Sequence, residues 1–377
     1  MNSKERMLAV FQGRQPDLVP AAPHWWGNYK YEVAGKDYWL DCWGDGASIV
    51  PIYQAFFERF QPDWFHLHGG YPRRRGAFAS NEWRAVQEGE RRFLIAPDGS
   101  RDEILPDQGL ASWEHSRPPR PDLSSRDAID EHVARYEQTS AQEIIEAGYT
   151  DAAAEIVRRY GDRAFICVHI GAPSILVDEH RSGGYEASLL ALYDHPEGVK
   201  YLLQRRYALS LEWAKAFASV GVHGWAISEG YSGADTISPR TYEEFLHPVD
   251  CWYYAEVRKL GLVPMVYFCG DLRPMLPLLR ESGVGGLIIE ESRKTFELDV
   301  VEITRVLQGK VALFGNIDTC ELLLKGTPEE VEAAVKAQLA AAREGPFLVC
   351  NGSPFAPGTP PENVDAMIRA ARRYGRL

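Results

Sequence analysis

The sequence predicts an α/β protein that folds as a single (β/α)8 TIM-type barrel, because short β-rich runs alternate with amphipathic stretches along its 377 residues. No linker rich in proline, glycine and serine interrupts this alternation, so we expect one domain over residues 1–377. Eight runs have the composition and length typical of strands. They cover residues 18–23, 64–68, 164–170, 224–228, 263–268, 286–289, 311–315 and 347–350.

The helices expected between these strands have recognisable beginnings. Ser238-Pro239 and Thr327-Pro328 each place a hydroxyl at the N-cap and a proline at the first helical position. Residues 71–135 depart from the alternation because they combine a hairpin-like stretch with a proline-rich run. We expect this segment to be an insertion that caps one end of the barrel. The predicted helices cover residues 196–218, 239–260, 273–282, 328–344 and 361–374.

Composition and charge narrow the classes of function. Hydrophobic residues make up 45% of the chain and charged residues 25%, which is typical of a globular protein with a large core. The formal net charge is −12, so the chain has no general attraction for nucleic acid or an anionic membrane, and we expect neither as a partner. No apolar run approaches the roughly 18–20 residues of a membrane span, and the N-terminal run is too short for a signal peptide, which predicts a cytoplasmic protein. The six cysteines are scattered, so we expect free thiols.

The barrel fold predicts where the chemistry lies, because the active sites of such barrels form at the carboxyl ends of the strands. Histidines stand at several of these positions, where a neutral imidazole can bind a metal or transfer a proton. A structural role in the core is the competing explanation for each of them. These histidines are His24, His66, His68 and His169. The residues that we assign to substrate binding are His24, His169, Trp26, Tyr231 and Ser353.

Two cysteines and one glutamate at strand ends are candidate metal ligands. Cys269 lies between an apolar run and Gly-Asp, where a thiolate can bind a soft metal, and Cys350 ends another apolar run. Free cysteines are also often buried as small apolar residues. Glu229 immediately follows the fourth predicted strand, where a carboxylate can act as ligand or as general acid and base, or can simply be solvated at the rim. The residues to which we assign catalytic roles are Glu229, Asp318, Asn316 and Tyr267.

Motifs for several other chemistries are missing from the sequence. It contains no GxxxxGK[ST] and no GxGxxG that opens a helix after a strand, so nucleotide-binding folds have no support. It also lacks GxSxG, HExxH and CxxC. A zinc site would therefore have to be assembled from separate strands.

Several segments of the second half resemble the uroporphyrinogen decarboxylase superfamily. They are residues 311–319 (VALFGNIDT), 324–331 (LKGTPEEV), 356–364 (APGTPPENV), 238–245 (SPRTYEEF) and 267–270 (YFCG). The resemblance implies a distorted (β/α)8 barrel. The true decarboxylases carry an arginine-rich motif near the N-terminus that binds the porphyrinogen carboxylates, whereas residues 20–27 (PAAPHWWG) contain no arginine. The chain therefore resembles more closely the branch of cobalamin-linked methyltransferases and O-demethylases.

That branch typically binds zinc through a His-x-Cys-Gly strand end and a cysteine in the last strand–helix loop. Cys269 matches the first cysteine, but Tyr267 occupies the histidine position and Ser353 the position of the last cysteine. We expect Glu229 to complete the zinc site, with His24 or Cys350 as a further ligand. The resemblance implies zinc-assisted transfer of a methyl group between a small O- or S-methyl compound and a corrinoid.

We expect the corrinoid to be carried by a separate partner protein. A homodimer is a further expectation. Two other functions stay open at this point. One is a metal-independent decarboxylase or lyase for a small carboxylated substrate, in which Asp318 or Glu229 works with His24. The other is a barrel that only binds a ligand or partner.

Overall fold

The computed structural model describes residues 1–25, 27–42, 46–69, 84–96, 98–105, 109–110, 121–136, 139–171, 173–174, 184–292 and 295–376. Seven parallel strands form one curled sheet, and helices cover its outer face, which confirms the predicted α/β architecture. In spatial order these strands are β1 (Trp64–His68), β6 (Phe165–Ile170), β7 (Gly224–Glu229), β8 (Val263–Phe268), β9 (Gly286–Ile289), β10 (Ala312–Phe314) and β11 (Phe347–Leu348).

The predicted first strand is a short extended segment. Its residues form only isolated bridges, because Pro20 and Pro23 have no amide hydrogen to donate to a ladder. The segment nevertheless links the two edges of the sheet. Val349 beside β11 exchanges two backbone hydrogen bonds with Pro20 and Ala22, and on the other side Asp63 donates its amide to the carbonyl of Ala21. The ring of strands therefore closes through these residues.

Two apolar layers lie on opposite faces of the sheet, as alternation along each strand requires. The outer layer packs between the sheet and the helices. The inner layer fills the barrel, and Met7, Val10 and Phe11 of the first helix join it next to Phe165. The first helix thus closes the amino-terminal end of the barrel, which leaves the carboxyl ends of the strands for a site. The inner layer includes Trp64, Phe165, Ala226, Met265, Ile288, Phe314 and Leu348.

The helices follow the expected alternation with the strands. The N-caps predicted at Ser238 and Thr327 are both confirmed, since each side chain accepts a hydrogen bond from the amide three residues later. No helix in the described ranges is both long and apolar enough to cross a membrane. The helices are α1 (Ser3–Phe11), α2 (Tyr29–Val33), α3 (Tyr38–Asp41), α4 (Gly46–Phe60), α5 (Arg126–Tyr136), α6 (Ala141–Glu146), α7 (Asp151–Tyr160), α8 (Tyr185–Asp194), α9 (Pro196–Ala218), α10 (Pro239–Thr241), α11 (His247–Lys259), α12 (Leu276–Glu281), α13 (Val300–Leu307), α14 (Pro328–Gln338) and α15 (Pro361–Tyr374). Shorter helical turns cover Tyr242–Leu246, Arg273–Met275, Thr319–Leu323 and Leu339–Arg343.

The segment expected to be an insertion forms a second, antiparallel sheet where it is described. Its strands are β2 (Arg84–Glu88), β3 (Arg91–Ile95), β4 (Arg101–Leu105) and β5 (Gly109–Leu110). Leu94 and Ile104 form a small core of their own with Trp39 of α3. The last part of the segment is α5, which contacts α9 of the barrel through the hydrogen bond from Tyr201 to Asp130. That the segment caps the barrel stays a prediction.

Candidate functional site

Three histidines meet inside the barrel near the carboxyl ends of neighbouring strands. His24 follows the closing segment, His66 lies on β1 and His169 lies on β6. All three are buried, and one nitrogen of each lies within 4.8 Å of the nitrogens of the other two. The Nε2 atom of His66 is 2.8 Å from the Nδ1 atom of His169. Within the described part of the chain, this is the one group of three potential metal ligands.

Burial keeps these imidazoles neutral. It lowers the pKa of His24 to about 3, although the Gly352 backbone partly opposes the effect. Burial also lowers the pKa values of His66 and His169 well below the usual range, and the neighbouring histidines lower them further. Neutral imidazoles keep a lone pair that can bind a cation. The Nδ1 atom of His66 is buried and makes no hydrogen bond within the described ranges.

Side chains from the next two strands complete the surroundings of the cluster. Ser228 of β7 is hydrogen-bonded through its hydroxyl to Nε2 of His169, at 2.7 Å. Tyr267 of β8 is almost fully buried and packs edge-on against the His24 ring, with 4.7 Å between the ring centroids. Burial, together with the neighbouring Cys269, raises the pKa of Tyr267, so its phenol stays protonated. Ser228 and Tyr267 therefore place two neutral polar groups next to the cluster.

The donor set of this cluster fits zinc. Three neutral imidazoles are a known zinc ligand set that leaves a fourth position open, as catalytic zinc sites require. The hydrogen bond between the Ser228 hydroxyl and Nε2 of His169 fixes the orientation of the His169 ring, which is the usual role of a group adjacent to a metal ligand. The buried nitrogen of His66 without a hydrogen-bond partner is a second sign that the pocket is built for something more than packing.

The zinc ligands expected from the sequence are not brought together, with the exception of His24. Glu229 immediately follows Ser228 on β7, so its side chain leaves the opposite face of the sheet and enters the helix layer. Cys269 packs beside the inner layer and does not belong to the cluster. Cys350 is fully buried in that layer, burial raises its pKa far above the usual range, and its thiol donates to the carbonyl of Asn351. The expectation that Cys269 and Glu229 share a metal site is therefore contradicted by the structure.

Glu229 instead belongs to a buried network of carboxyl and hydroxyl groups behind β7. Tyr207 of α9 places its hydroxyl 3.1 Å from Oε1 of Glu229 and 2.9 Å from Oδ1 of Asp250. Ser232 donates to Oε2 of Glu229, and Tyr242 donates to Oδ2 of Asp250. Burial raises the pKa of Glu229, and the neighbouring Asp250 raises it further. Burial raises the pKa of Asp250 as well.

Asp318 and Asn316, which were expected to be catalytic, make hydrogen bonds to the backbone. Asp318 caps the helical turn Thr319–Leu323, because its carboxylate accepts the amide of Glu321. Asn316 donates to the carbonyls of Leu298 and Glu290 and thereby connects the ends of two strands. Such contacts position the rim of the barrel.

The remaining expected site residues are spread over the rim of the barrel. Ser353 donates to the carboxylate of Glu291, which is buried. Tyr231 is partly exposed and its ring packs against Tyr185. Trp26 lies outside the described residues. Ser228 was not among the expected site residues, although the two-residue alternation along β7 was a signal that could have placed it beside His169.

The fold and the site define an α/β barrel protein with a polar centre at the carboxyl ends of its strands. Residues 115–374, more than half of the chain, match the family model for uroporphyrinogen decarboxylase (URO-D), and the chain belongs to this family. A solved structure of a methyltransferase from Methanosarcina mazei has the same fold, with a TM-score of 0.71, 19% sequence identity and coverage of 99% of both chains.

Curated relatives include both methyltransferases and decarboxylases. A methylcobamide:CoM methyltransferase, MtaA, from Methanosarcina barkeri is 28% identical over 165 residues, which is 44% of this chain and 46% of the relative. A uroporphyrinogen decarboxylase from Danio rerio is 26% identical over 216 residues, covering 55% of this chain and 56% of the relative. The chain thus matches about half the length of these relatives.

Proposed function

We propose that this protein is a zinc-assisted methyltransferase that moves a methyl group between a small O- or S-methyl compound and a corrinoid. The observation that carries the proposal is the cluster of His24, His66 and His169, which presents three neutral nitrogen donors inside the barrel. The similarity to methylcobamide-dependent methyltransferases supports the same reaction class. The corrinoid would be carried by a separate partner protein.

Zinc would be held by the three histidines. When bound, it supplies Lewis acidity that improves an ether oxygen as a leaving group or a thiol sulfur as a nucleophile. Ser228 keeps the His169 ring in one orientation through its hydrogen bond to Nε2. Tyr267 covers the His24 ring and excludes water from it. Because α1 closes the other end of the barrel, substrate and corrinoid reach the centre from the carboxyl ends of the strands.

The test measures metal and methyl transfer separately. Purified protein is expected to contain zinc by elemental analysis, and His66→Ala and His169→Ala are expected to lose it. Cys269→Ser is the matched control, because the thiol lies outside the cluster, and it is expected to keep its zinc. With zinc present, the wild type should form methylated corrinoid from cob(I)alamin and a methoxylated compound. Wild-type protein without zinc, or loss of zinc in Cys269→Ser, would contradict the proposed centre.

A second candidate function is decarboxylation of a small carboxylated substrate without metal. It is favoured by the decarboxylases among the relatives. The arginine-free segment 20–27 argues against a porphyrinogen substrate. Activity that survives exhaustive chelation and the His66→Ala substitution would favour this candidate.

The organisation of the whole protein is also part of the proposal. We infer a single domain over residues 1–377 with the segment 71–135 as a cap, and a homodimer. Mass measurement by light scattering tests the dimer. Limited proteolysis tests the cap, because a cap that is an insertion should be cut without dissociating the barrel.

A further inference from the structure

A cavity of about 620 Å³ lies at the amino-terminal end of the barrel, at the end opposite to the histidine cluster. Its floor is apolar, because it is lined by the buried side chains of Val10 in α1, Pro16 and Phe347 at the start of β11. Small-molecule sites usually have volumes of about 300–1,000 Å³, so the cavity is large enough for a ligand. We call it the amino-terminal cavity, and the reaction proposed above makes no use of it.

Three arginines from separate segments of the chain line the amino-terminal cavity. Arg14 follows α1, Arg343 ends the helical turn Leu339–Arg343, and Arg376 forms a bridge with Leu18 of the closing segment. All three are exposed, and within the described residues none of them forms an ion pair. Arg14 donates only to the side-chain oxygen of Gln12, which orients its guanidinium group and leaves other N–H donors of the group for a ligand.

The balance of charge around the cavity favours an anion. Among the described residues that line it, Glu344 is the one carboxylate, and it is already paired with Arg305 at 3.1 and 3.2 Å. The cavity therefore gathers positive charge in a chain whose formal net charge is −12. Like charges that converge on one cavity repel one another, and a ligand with several negative charges would remove this repulsion.

The backbone that carries the arginines is held in place by hydrogen bonds. Gly13 has a left-handed φ of +66°, which turns the chain at the end of α1, and the amide of Arg14 then donates to the carbonyl of Ala9 at 2.8 Å. Next to Arg343, the amide of Glu344 donates to a carbonyl within the same helical turn, at 2.9 Å. Little backbone has to be ordered when a ligand binds, which favours binding.

We propose that the amino-terminal cavity binds a diphosphate or triphosphate group through Arg14, Arg343 and Arg376. Guanidinium groups present paired N–H donors that match phosphate oxygens, and several such groups in one cavity suit more than one phosphate. The apolar floor beside them can hold a base or another apolar part of the ligand. This site is separate from the histidine cluster and does not depend on the proposed function.

The binding experiment is isothermal titration calorimetry with sodium pyrophosphate. The wild type should bind it, and Arg14→Gln/Arg343→Gln should bind it about tenfold or more weakly, because charge-assisted hydrogen bonds are lost. Arg376→Gln is a further variant and should also bind more weakly. Arg240→Gln/Arg369→Gln is the matched control, because it removes the same charge from two exposed arginines that do not line the cavity. It should bind pyrophosphate as the wild type does.

A second titration, with ADP, distinguishes the two sources of a diphosphate group. Binding of ADP that is about tenfold or more tighter than that of pyrophosphate would identify a nucleotide whose base contacts the apolar floor. Equal or weaker binding of ADP would identify the diphosphate group itself as the ligand. In both cases Arg14→Gln/Arg343→Gln should lose the binding.

Pyrophosphate also binds zinc, so the titration is repeated with His66→Ala, which should lack the metal. This variant should bind pyrophosphate as the wild type does, whether or not methyl transfer is found. Loss of binding in His66→Ala would overturn the assignment of the cavity, and so would an equal loss in the Arg240→Gln/Arg369→Gln control. Orthophosphate or sulfate bound as tightly as pyrophosphate would also overturn it, because the attraction would then be general for anions. A wild type that shows neither heat nor a higher melting temperature with pyrophosphate and ADP would overturn it as well.

Discussion

The two faces of strand β7 carry polar groups of opposite chemical character. On the inner face, Ser228 supports a cluster of bases, and on the outer face the next residue, Glu229, joins a pair of acids. Burial shifts both sets toward their neutral forms, because it lowers the histidine pKa values and raises those of the carboxyl groups. The inner set thereby keeps lone pairs for a ligand. The outer pair of carboxyl groups keeps a proton, and this proton is used in a hydrogen bond within the network.

The number of hydrogens available in the outer network shows that one of its two carboxyl groups is protonated. The hydroxyl of Tyr207 has one hydrogen but lies within hydrogen-bond distance of both Glu229 and Asp250. One carboxyl group must therefore donate to the tyrosine oxygen while the other accepts from it. The Glu229 carboxyl is the donor at neutral pH, because Asp250 raises its pKa further. The network is complete without any ligand, which distinguishes it from the histidine cluster.

The largest expected effect comes from Asp250→Ala on the outer face. The substitution leaves the buried hydroxyl of Tyr242 without its acceptor and removes one of the two carboxyl groups that bond the hydroxyl of Tyr207, so the free energy of unfolding should fall by about 2–5 kcal/mol. Urea denaturation measures the loss, and Asp250→Asn is the milder control because it keeps an acceptor. Zinc content should not change. Loss of zinc without loss of stability would mean that the two faces are not separate in function.

A smaller effect is expected from Ser228→Ala on the inner face. Loss of the hydrogen bond to His169 should weaken zinc binding by about 10–100-fold, measured by competition with a chelating dye. Ser232→Ala is the matched control, because this serine bonds the Glu229 carboxyl on the outer face. It should reduce stability by about 1 kcal/mol and leave zinc affinity unchanged. Equal effects of the two substitutions on zinc affinity would remove the distinction.

The smallest expected effect is the pH dependence of Glu229→Gln. Because the folded pKa of Glu229 is raised above its ordinary value of 4.5, its stabilisation is fully present below pH 4.5 and is lost as pH rises through the folded pKa. Glutamine does not ionise and should avoid this loss. The variant should therefore match the wild type near the ordinary pKa and exceed it by about 1–2 kcal/mol in mildly alkaline solution. Urea denaturation over a pH series measures the difference, and parallel profiles would show that Glu229 is ionised in the folded protein.

The strand ends could be predicted from the sequence, but which of their side chains meet could not. Four histidines were placed at strand ends, and three of them form the cluster. Glu229 was placed correctly at the end of β7, yet a shift of one residue along a strand reverses the face on which a side chain lies. The same rule separates the adjacent residues Glu290 and Glu291 at the end of β9, of which Glu291 is the buried one. No pattern in the sequence predicts the burial of Lys30, because this burial depends on the packing of α2 against α4.

The alternation of apolar and polar runs by itself determined the class of fold and the end of the barrel that holds the polar residues. Closure of the ring, by contrast, depended on hydrogen bonds between residues more than 300 positions apart, from Val349 to Pro20 and Ala22. Only the tertiary structure decided that histidines, and not a thiol and a carboxylate, come together. The physical reason is that a strand fixes the direction of each side chain by its register, and register is set by the packing of the whole barrel.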